Sequence, residues 1–355
     1  MYAIGKTKKG RDDTMSQVRL GTTGITSPQN AFGALPIQRV SAEYAGMLLR
    51  KAYNAGFTFF DTARAYSDSE EKMGLALADV RDKIVIATKT GAKDAKTFWE
   101  HLETSLNNLK TGYIDIYQFH NPSFCPKPGD GTGLYEAALE AKAQGNIRHI
   151  GITNHRLDVA EEAVRSGLYE TLQFPFCYLS TEKDMALVTL CKEHDVGFIA
   201  MKGLSGGLIN RSDAAYAWMA QFDNVLPIWG VQKENELDEF IGYLDNPPSM
   251  TPEIKALIGK DREELIGNFC RACGYCMPCP MGIEINSCAR MSQLIRRSPS
   301  ANWLDEKSRA MMMNIENCVE CGQCKSKCPY GLDTPKLLKL NLEDYKDILS
   351  GKAAV

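Results

Sequence analysis

The chain has 355 residues, 44% of them hydrophobic and 24% charged, with a formal net charge of −3. This is the composition of a globular protein able to bury a large core. The near balance of charge leaves no electrostatic reason to expect nucleic acid or an anionic membrane as partner. The short basic stretches in "LIRRSPS" and "KLLKLNLEDYK" are read as solvated helix faces.

The opening "MYAIGKTKKGRDDTMSQ" is polar and lacks the apolar centre of a secretory signal. Residues 1–15 are read as a disordered tail, with Met15 a candidate start. No apolar run approaches the roughly 20 residues a membrane-spanning helix needs. The expectation is a cytoplasmic protein with reduced thiols, in which cysteine favours metal over disulfide.

From there the chain alternates short apolar runs with amphipathic stretches. "NAFGALP", "FTFFDTA", "KIVIATKT", "IDIYQFHN", "IRHIGITN", "TLQFPFC", "GFIAMKG" and "VLPIWGV" read as buried strands bounded by turns. Between the first two, "SAEYAGMLLRKAYNAG" reads as a helix with Ala45, Leu48, Leu49 and Ala52 on one face. Ser41 caps its start and Gly56 ends it. Strands alternating with helices imply a parallel sheet, and eight such units fit a (β/α)8 barrel over residues 16–250. A doubly wound open sheet is the weaker alternative, because no G-x-G-x-x-G follows the first strand.

The alternation stops at "LDNPPSMTPE", residues 244–253, where prolines mark a boundary. A small helical domain is expected over 262–355, and eight of the twelve cysteines fall in it as two tight runs. The second run, "CVECGQCKSKCP", has the C-x2-C-x2-C-x3-C-P spacing of a bacterial 4Fe–4S ferredoxin, whose fourth cysteine ligates the other cluster. The first run, "CRACGYCMPCP", matches except that its fourth cysteine comes one residue early. The expected assignment is crossed. Cys270, Cys273, Cys276 and Cys328 hold one cluster, and Cys318, Cys321, Cys324 and Cys279 the other. Zinc is the competing reading, disfavoured because each run carries four cysteines and ends in Cys-Pro. Cys125, Cys177, Cys191 and Cys288 are isolated and read as inert buried thiols, Cys288 being the one nearest a motif.

In a barrel of this kind the chemistry sits where the strands end. The polar residues there are Asp61 and, in the next turn, Tyr66, then Lys89 and His120. A phenol is a weak acid at neutral pH unless a cation stabilises its anion. Lys89 can do that, Asp61 can hold Lys89 charged, and His120 can orient a carbonyl oxygen toward Tyr66. The set fits general acid–base catalysis on a carbonyl or alcohol.

"FFDTARAY", "ATKT", "YQFHN" and "GITNH", in this order on these strands, resemble the aldo-keto reductase family over roughly residues 17–245. "LGTTGITSPQNAFGALPI" is similar to that family's opening hairpin and first strand. The cysteine runs resemble those of a subset carrying a dicluster ferredoxin domain. The resemblance implies that Tyr66 is the proton donor, that Lys89 and Asp61 tune it, and that His120 orients the carbonyl. It also implies that Asn154, with Gln173, holds a nicotinamide carboxamide, and that hydride passes from NAD(P)H without metal. Lys202, Gly206 and Gly207 either approach the pyrophosphate or form a plain turn. Met201 stands where the family stacks an aromatic, and only Lys233 offers a cation after the last strand, leaving NAD against NADP open. His101 and His194 are expected on solvated helix faces, His149 as structural, and His155 at a strand end beside Asn154. The long segment "NPSFCPKPGDGTG" is the candidate substrate lid.

The leading expectation is a nicotinamide-dependent oxidoreductase, acting on a small carbonyl or alcohol and carrying two 4Fe–4S clusters. The clusters either brace the fold, sense redox state, or pass single electrons from a ferredoxin-like donor. The alternative is a redox-sensing or electron-transfer protein whose barrel binds nucleotide or a partner without turnover.

Overall fold

The computed structural model describes residues 16–265, 270–297 and 300–354. The expected tail over 1–15 lies outside the described residues. β1 (Gln17–Arg19) and β2 (Thr26–Pro28) form an antiparallel hairpin with Val18 opposite Ser27. Eight strands follow: β3 (Ala31–Gly33), β4 (Phe59–Asp61), β5 (Val85–Thr90), β6 (Ile114–His120), β7 (Ile147–Thr153), β8 (Thr171–Pro175), β9 (Gly197–Met201) and β10 (Val225–Gly230). They pair in parallel and close on themselves, β10 bonding to β3. This is the (β/α)8 barrel read from the sequence.

The helices α1 (Ala42–Ala55), α2 (Ser69–Leu77), α3 (Ala95–Leu109), α4 (Leu134–Ala143), α5 (Leu157–Ser166), α6 (Glu182–Glu193), α7 (Ser212–Met219) and α8 (Glu234–Asp245) alternate with the strands. Each starts and stops for local reasons. The Ser41 hydroxyl accepts from the Tyr44 amide at 3.2 Å, and Gly56, at φ 111°, ends α1 in the left-handed conformation. Thr181 and Asp184 form a reciprocal capping box on α6.

Alternation along each strand decides what enters the barrel. Phe59, Ala87, Ile116, Ile199 and Leu226 fill the lower interior, and Val18 and Leu20 of the hairpin pack into the same cluster, stopping that end. Two residues further along the same strand faces stand Asp61, Lys89 and Gln118, so the interior turns polar toward the C-terminal mouth. Gly151 on β7 makes room there. A Cβ on it would lie 2.3 Å from Thr171 Oγ1 and 2.9 Å from Gln118 Cγ.

α9 (Pro252–Leu265) runs through the expected boundary at 262. Its Ile254, Ile258 and Leu265 pack into the barrel's outer core, Arg262 Nε donates to the Tyr178 carbonyl at 2.5 Å, and the Tyr178 hydroxyl donates to Asp261. Beyond it, α10 (Ile285–Cys288), α11 (Met291–Arg297), α12 (Glu306–Met313), α13 (Gln323–Ser326) and α14 (Thr334–Leu349) gather around Ile283, Ile285, Met291, Met312, Ile315 and Tyr345. Cys276, Cys288 and Cys324 belong to that second core. Among the described residues no helix is long and apolar enough to cross a membrane.

Candidate active site

The strand period of two carries Asp61, Lys89 and His120 to the inner face of three adjacent strands, β4, β5 and β6. Lys89 Nζ donates to Asp61 Oδ1 and to the Thr62 carbonyl, each at 2.6 Å. The lysine is 1% and the aspartate 2% exposed, so this is an ion pair sealed from water. The ring of Tyr66, in the turn after β4, lies above it. Lys89 Nζ is 5.3 Å from the ring centroid, and the His120 ring meets Tyr66 edge-on at 5.8 Å and 82°.

Burial dominates the electrostatics. It pushes the Asp61 carboxyl up, against the pull of Lys89 and then of Gln173 and Gln118. It pushes the Lys89 ammonium down, against the pull of Asp61. The Tyr66 phenol is pushed up, by burial first and by the Asp61 charge second. The sequence leads one to expect Lys89 to favour the phenolate; at rest the nearby Asp61 charge opposes it. His120 is pushed down to about 3, by burial and then by Lys89. The resting site therefore presents a protonated phenol beside a neutral imidazole, a pair that can donate to and orient an oxygen atom.

Gln118 belongs to this network and was not singled out in the sequence. Its Nε2 donates to Gln173 Oε1 at 3.0 Å. The signal was present: Gln118 precedes His120 by two positions on a strand whose inner face carries the chemistry. Gln173, expected at a carboxamide, is 1% exposed and turned into the barrel.

The other side of the mouth is covered by the C-terminal lobe. Asn154 Nδ2 donates to the Pro122 carbonyl at 2.8 Å, and its Oδ1 accepts from the amides of His155 and Arg156 at 2.9 and 2.8 Å. The hydroxyl of Tyr275, between Cys273 and Cys276, also reaches that oxygen at 3.0 Å and Asn121 Oδ1 at 2.6 Å. Lys202 Nζ, at the end of β9, donates to the carbonyls of Arg271 and Ala272 at 3.1 and 3.3 Å. Arg290 Nη2 donates to the Gly206 carbonyl at 2.9 Å, while Gly207 stays exposed. Arg271 pairs with Asp184 at 3.0 Å, and the Tyr330 hydroxyl donates to the His155 carbonyl at 3.1 Å. Sequence reasoning missed Arg271, Tyr275, Arg290 and Tyr330, none of which carries a motif-level sign of contact with the barrel.

The cysteines line two small cavities. Cys270, Cys273, Cys276 and Cys328 open onto one; Cys279, Cys318, Cys321 and Cys324, with Cys276, onto the other. Among the described residues no group of three or more His, Cys, Asp or Glu converges on the single point one metal ion needs. Four thiolates spread around a cavity suit a cubane better than a lone zinc. The isolated Cys125 and Cys191 are buried, and Cys288 is buried with its thiol 3.7 Å from the Met311 carbonyl. Cys177 is half-buried, near Lys202 and Arg271.

Of the histidines, His194 is exposed, and His149 Nδ1 is held by Glu170 at 2.6 Å. His101 departs from expectation. It is half-buried, with Nδ1 2.9 Å from the Thr90 hydroxyl, because α3 packs on the end of β5. His155 lines a groove between barrel and lobe with Arg271 and Tyr330. The segment 121–133 is fastened at its start by Asn154 and Tyr275 and in its middle where Cys125 is buried and the Tyr169 hydroxyl donates to the Pro126 carbonyl, while Phe124 between them is 40% exposed.

Comparison with known proteins fits this architecture. The model of the Aldo/keto reductase family matches residues 18–214, and that of a 4Fe-4S dicluster domain matches residues 269–333. The "Uncharacterized oxidoreductase YqkF" of Bacillus subtilis is 27% identical over 211 residues, 56% of this chain and 67% of its own length. The "Aldo-keto reductase YhdN" of the same organism is 30% identical over 218 residues, 55% of this chain and 64% of its own length. The chain thus spans about two thirds of the length of these curated relatives. Among solved structures, an aldo-keto reductase from Klebsiella pneumoniae in complex with NADPH superposes with a TM-score of 0.60 at 22% identity, covering 70% of this chain and 95% of that one. At that identity the likeness speaks for the fold.

Proposed function

This chain belongs to the aldo/keto reductase family, and on that premise we propose that it reduces a small carbonyl compound, or oxidises the matching alcohol, at Tyr66, Lys89, Asp61 and His120. The observation that carries the reading is the sealed Lys89–Asp61 pair beneath the Tyr66 ring, with neutral His120 at its edge. Tyr66 holds its proton at rest because burial and the Asp61 charge oppose the phenolate. As a carbonyl oxygen gains charge it draws that proton, and Lys89 offsets the charge left on the phenol. The neutral His120 fixes the oxygen's position.

A nicotinamide, when bound, supplies the hydride. NADP is the favoured form, since the Klebsiella pneumoniae relative is described in complex with NADPH. The C-terminal lobe fits two 4Fe–4S clusters held in the crossed pattern, a reading supported by the way the eight thiols divide between two cavities. Such thiolates belong in a reducing compartment, the cytoplasm, with a ferredoxin-like protein as the one-electron donor. One observation favours a second reading, a redox sensor without turnover: the lobe engages Asn154, expected at the nicotinamide carboxamide, and Lys202, a candidate for the pyrophosphate.

Turnover separates the two. Carbonyl-dependent NADPH oxidation should fall by about 10²–10⁴ in Tyr66→Phe, the usual worth of a positioned acid, with nucleotide affinity unchanged. Equal rates in the two proteins would remove Tyr66 from the chemistry, and no turnover in either would leave the sensor.

A further inference from the structure

We infer that the first cysteine motif and a nicotinamide compete for one part of the barrel mouth, with Tyr275 taking at Asn154 the place of a carboxamide. The inference rests on the reading of Asn154 as the carboxamide's partner and of Lys202 as the pyrophosphate's.

Three observations carry it. Asn154 is engaged at both ends: one N–H of its amide donates to the Pro122 carbonyl, and its oxygen, the acceptor a carboxamide NH2 would use, is met by two backbone amides and by the Tyr275 hydroxyl. Lys202 directs two of its three donors to the carbonyls of Arg271 and Ala272, next to Cys270 and Cys273, so the motif's own backbone meets the cation at the end of β9. Finally, the motif is fastened rather than merely adjacent. Arg271 is paired with Asp184 at side-chain exposures of 13% and 5%, and Arg290 grips the Gly206 carbonyl beyond it. A Cβ on Gly206 would come within 3.1 Å of that guanidinium, so the contact is close.

A ligand that binds only the undocked form has an apparent Kd equal to its intrinsic Kd divided by the undocked fraction. Contacts that hold the motif down therefore weaken nicotinamide binding by the factor through which they favour docking. Arg271, Tyr275 and Arg290 thus act on the dinucleotide without touching it in the docked form. Cluster lobe and dinucleotide hold the site in turn.

The test uses the full-length, iron-loaded protein, prepared anaerobically, with NADPH as the probe. Hydrogen exchange of residues 270–276 is followed while NADPH is titrated by calorimetry, in wild type, Tyr275→Phe and Arg290→Gln. Iron per chain is measured for each, so that a variant lacking its clusters is recognised. The expected result is that NADPH raises exchange across 270–276, and that Arg290→Gln, by removing a charged hydrogen bond, tightens NADPH binding about tenfold. Tyr275→Phe, which keeps the ring, should tighten it several-fold. NADPH binding that leaves 270–276 protected would overturn the competition while leaving the reductase reading intact. Failure of NADPH to bind any of the three proteins would take away the nicotinamide assignment, and the competition with it.

Discussion

The barrel and the C-terminal lobe bury their interiors by different means. The barrel fills its core with aromatic and aliphatic side chains, Trp229, Phe32, Phe57, Phe60 and Phe98 among those below 2% exposure. Charge enters it as buried ion pairs, Asp61–Lys89 toward the C-terminal mouth and Arg81–Asp115 elsewhere. The lobe packs short helices against the long helix α14, and its core includes Cys276, Cys288 and Cys324, with Cys270, Cys279, Cys318 and Cys328 packed against it. A region whose ligands are part of its core depends on what they bind, much as small metal domains unfold when stripped. On the reading that these cysteines hold clusters, the lobe is expected to depend on them and the barrel on its packing.

Removing iron by anaerobic chelation attacks this contrast most directly and should have the largest effect. The amides of α12 and α14 should lose their exchange protection, while unfolding followed by the barrel tryptophans Trp99, Trp218 and Trp229 keeps its own transition. Protection that survives complete loss of iron would mean that the lobe's leucines and methionines suffice. The converse cut falls inside the barrel. Lys89→Met leaves Asp61 buried without its cation, and should destabilise the barrel by about 3–5 kcal/mol in urea with iron content unchanged. Asp61→Asn in the same chain should recover most of that loss; no recovery would show that the pair is not what Lys89 contributes.

The smallest effect is one of pH. His120 stays neutral in the fold down to about 3, whereas the unfolded chain protonates it near 6.5. The unfolded state therefore binds the extra proton throughout that window, and stability falls as pH drops through it. His120→Asn should remove this contribution, losing roughly 1.5 kcal/mol less than wild type between pH 6.5 and 5. Equal acid sensitivity in both proteins would place the titration elsewhere.

The barrel was legible because parallel strands buried on both faces leave continuous apolar runs, and because turns separate them cleanly. Even so, "NAFGALP" contributes only Ala31–Gly33 to the sheet. Asp61, Lys89 and His120 were legible for the same reason: a polar residue ending an apolar run faces the mouth. Gln118 obeyed that rule and was passed over, because an amide inside a strand looks like packing until its neighbour Gln173 is known. The covering of the mouth was not legible at all. Tyr275 meets Asn154 across 121 positions of chain, and a tyrosine between two cysteines gives no sign of what its hydroxyl will touch. Patterning reports which way a side chain faces within its own element, whereas docking depends on two surfaces that share no period.

The hairpin that carries Val18 and Leu20 has a consequence for traffic. It plugs the lower end of an interior already filled by Phe59, Ala87, Ile116, Ile199 and Leu226, so that whatever meets Tyr66 and His120 must come and go by the C-terminal mouth alone.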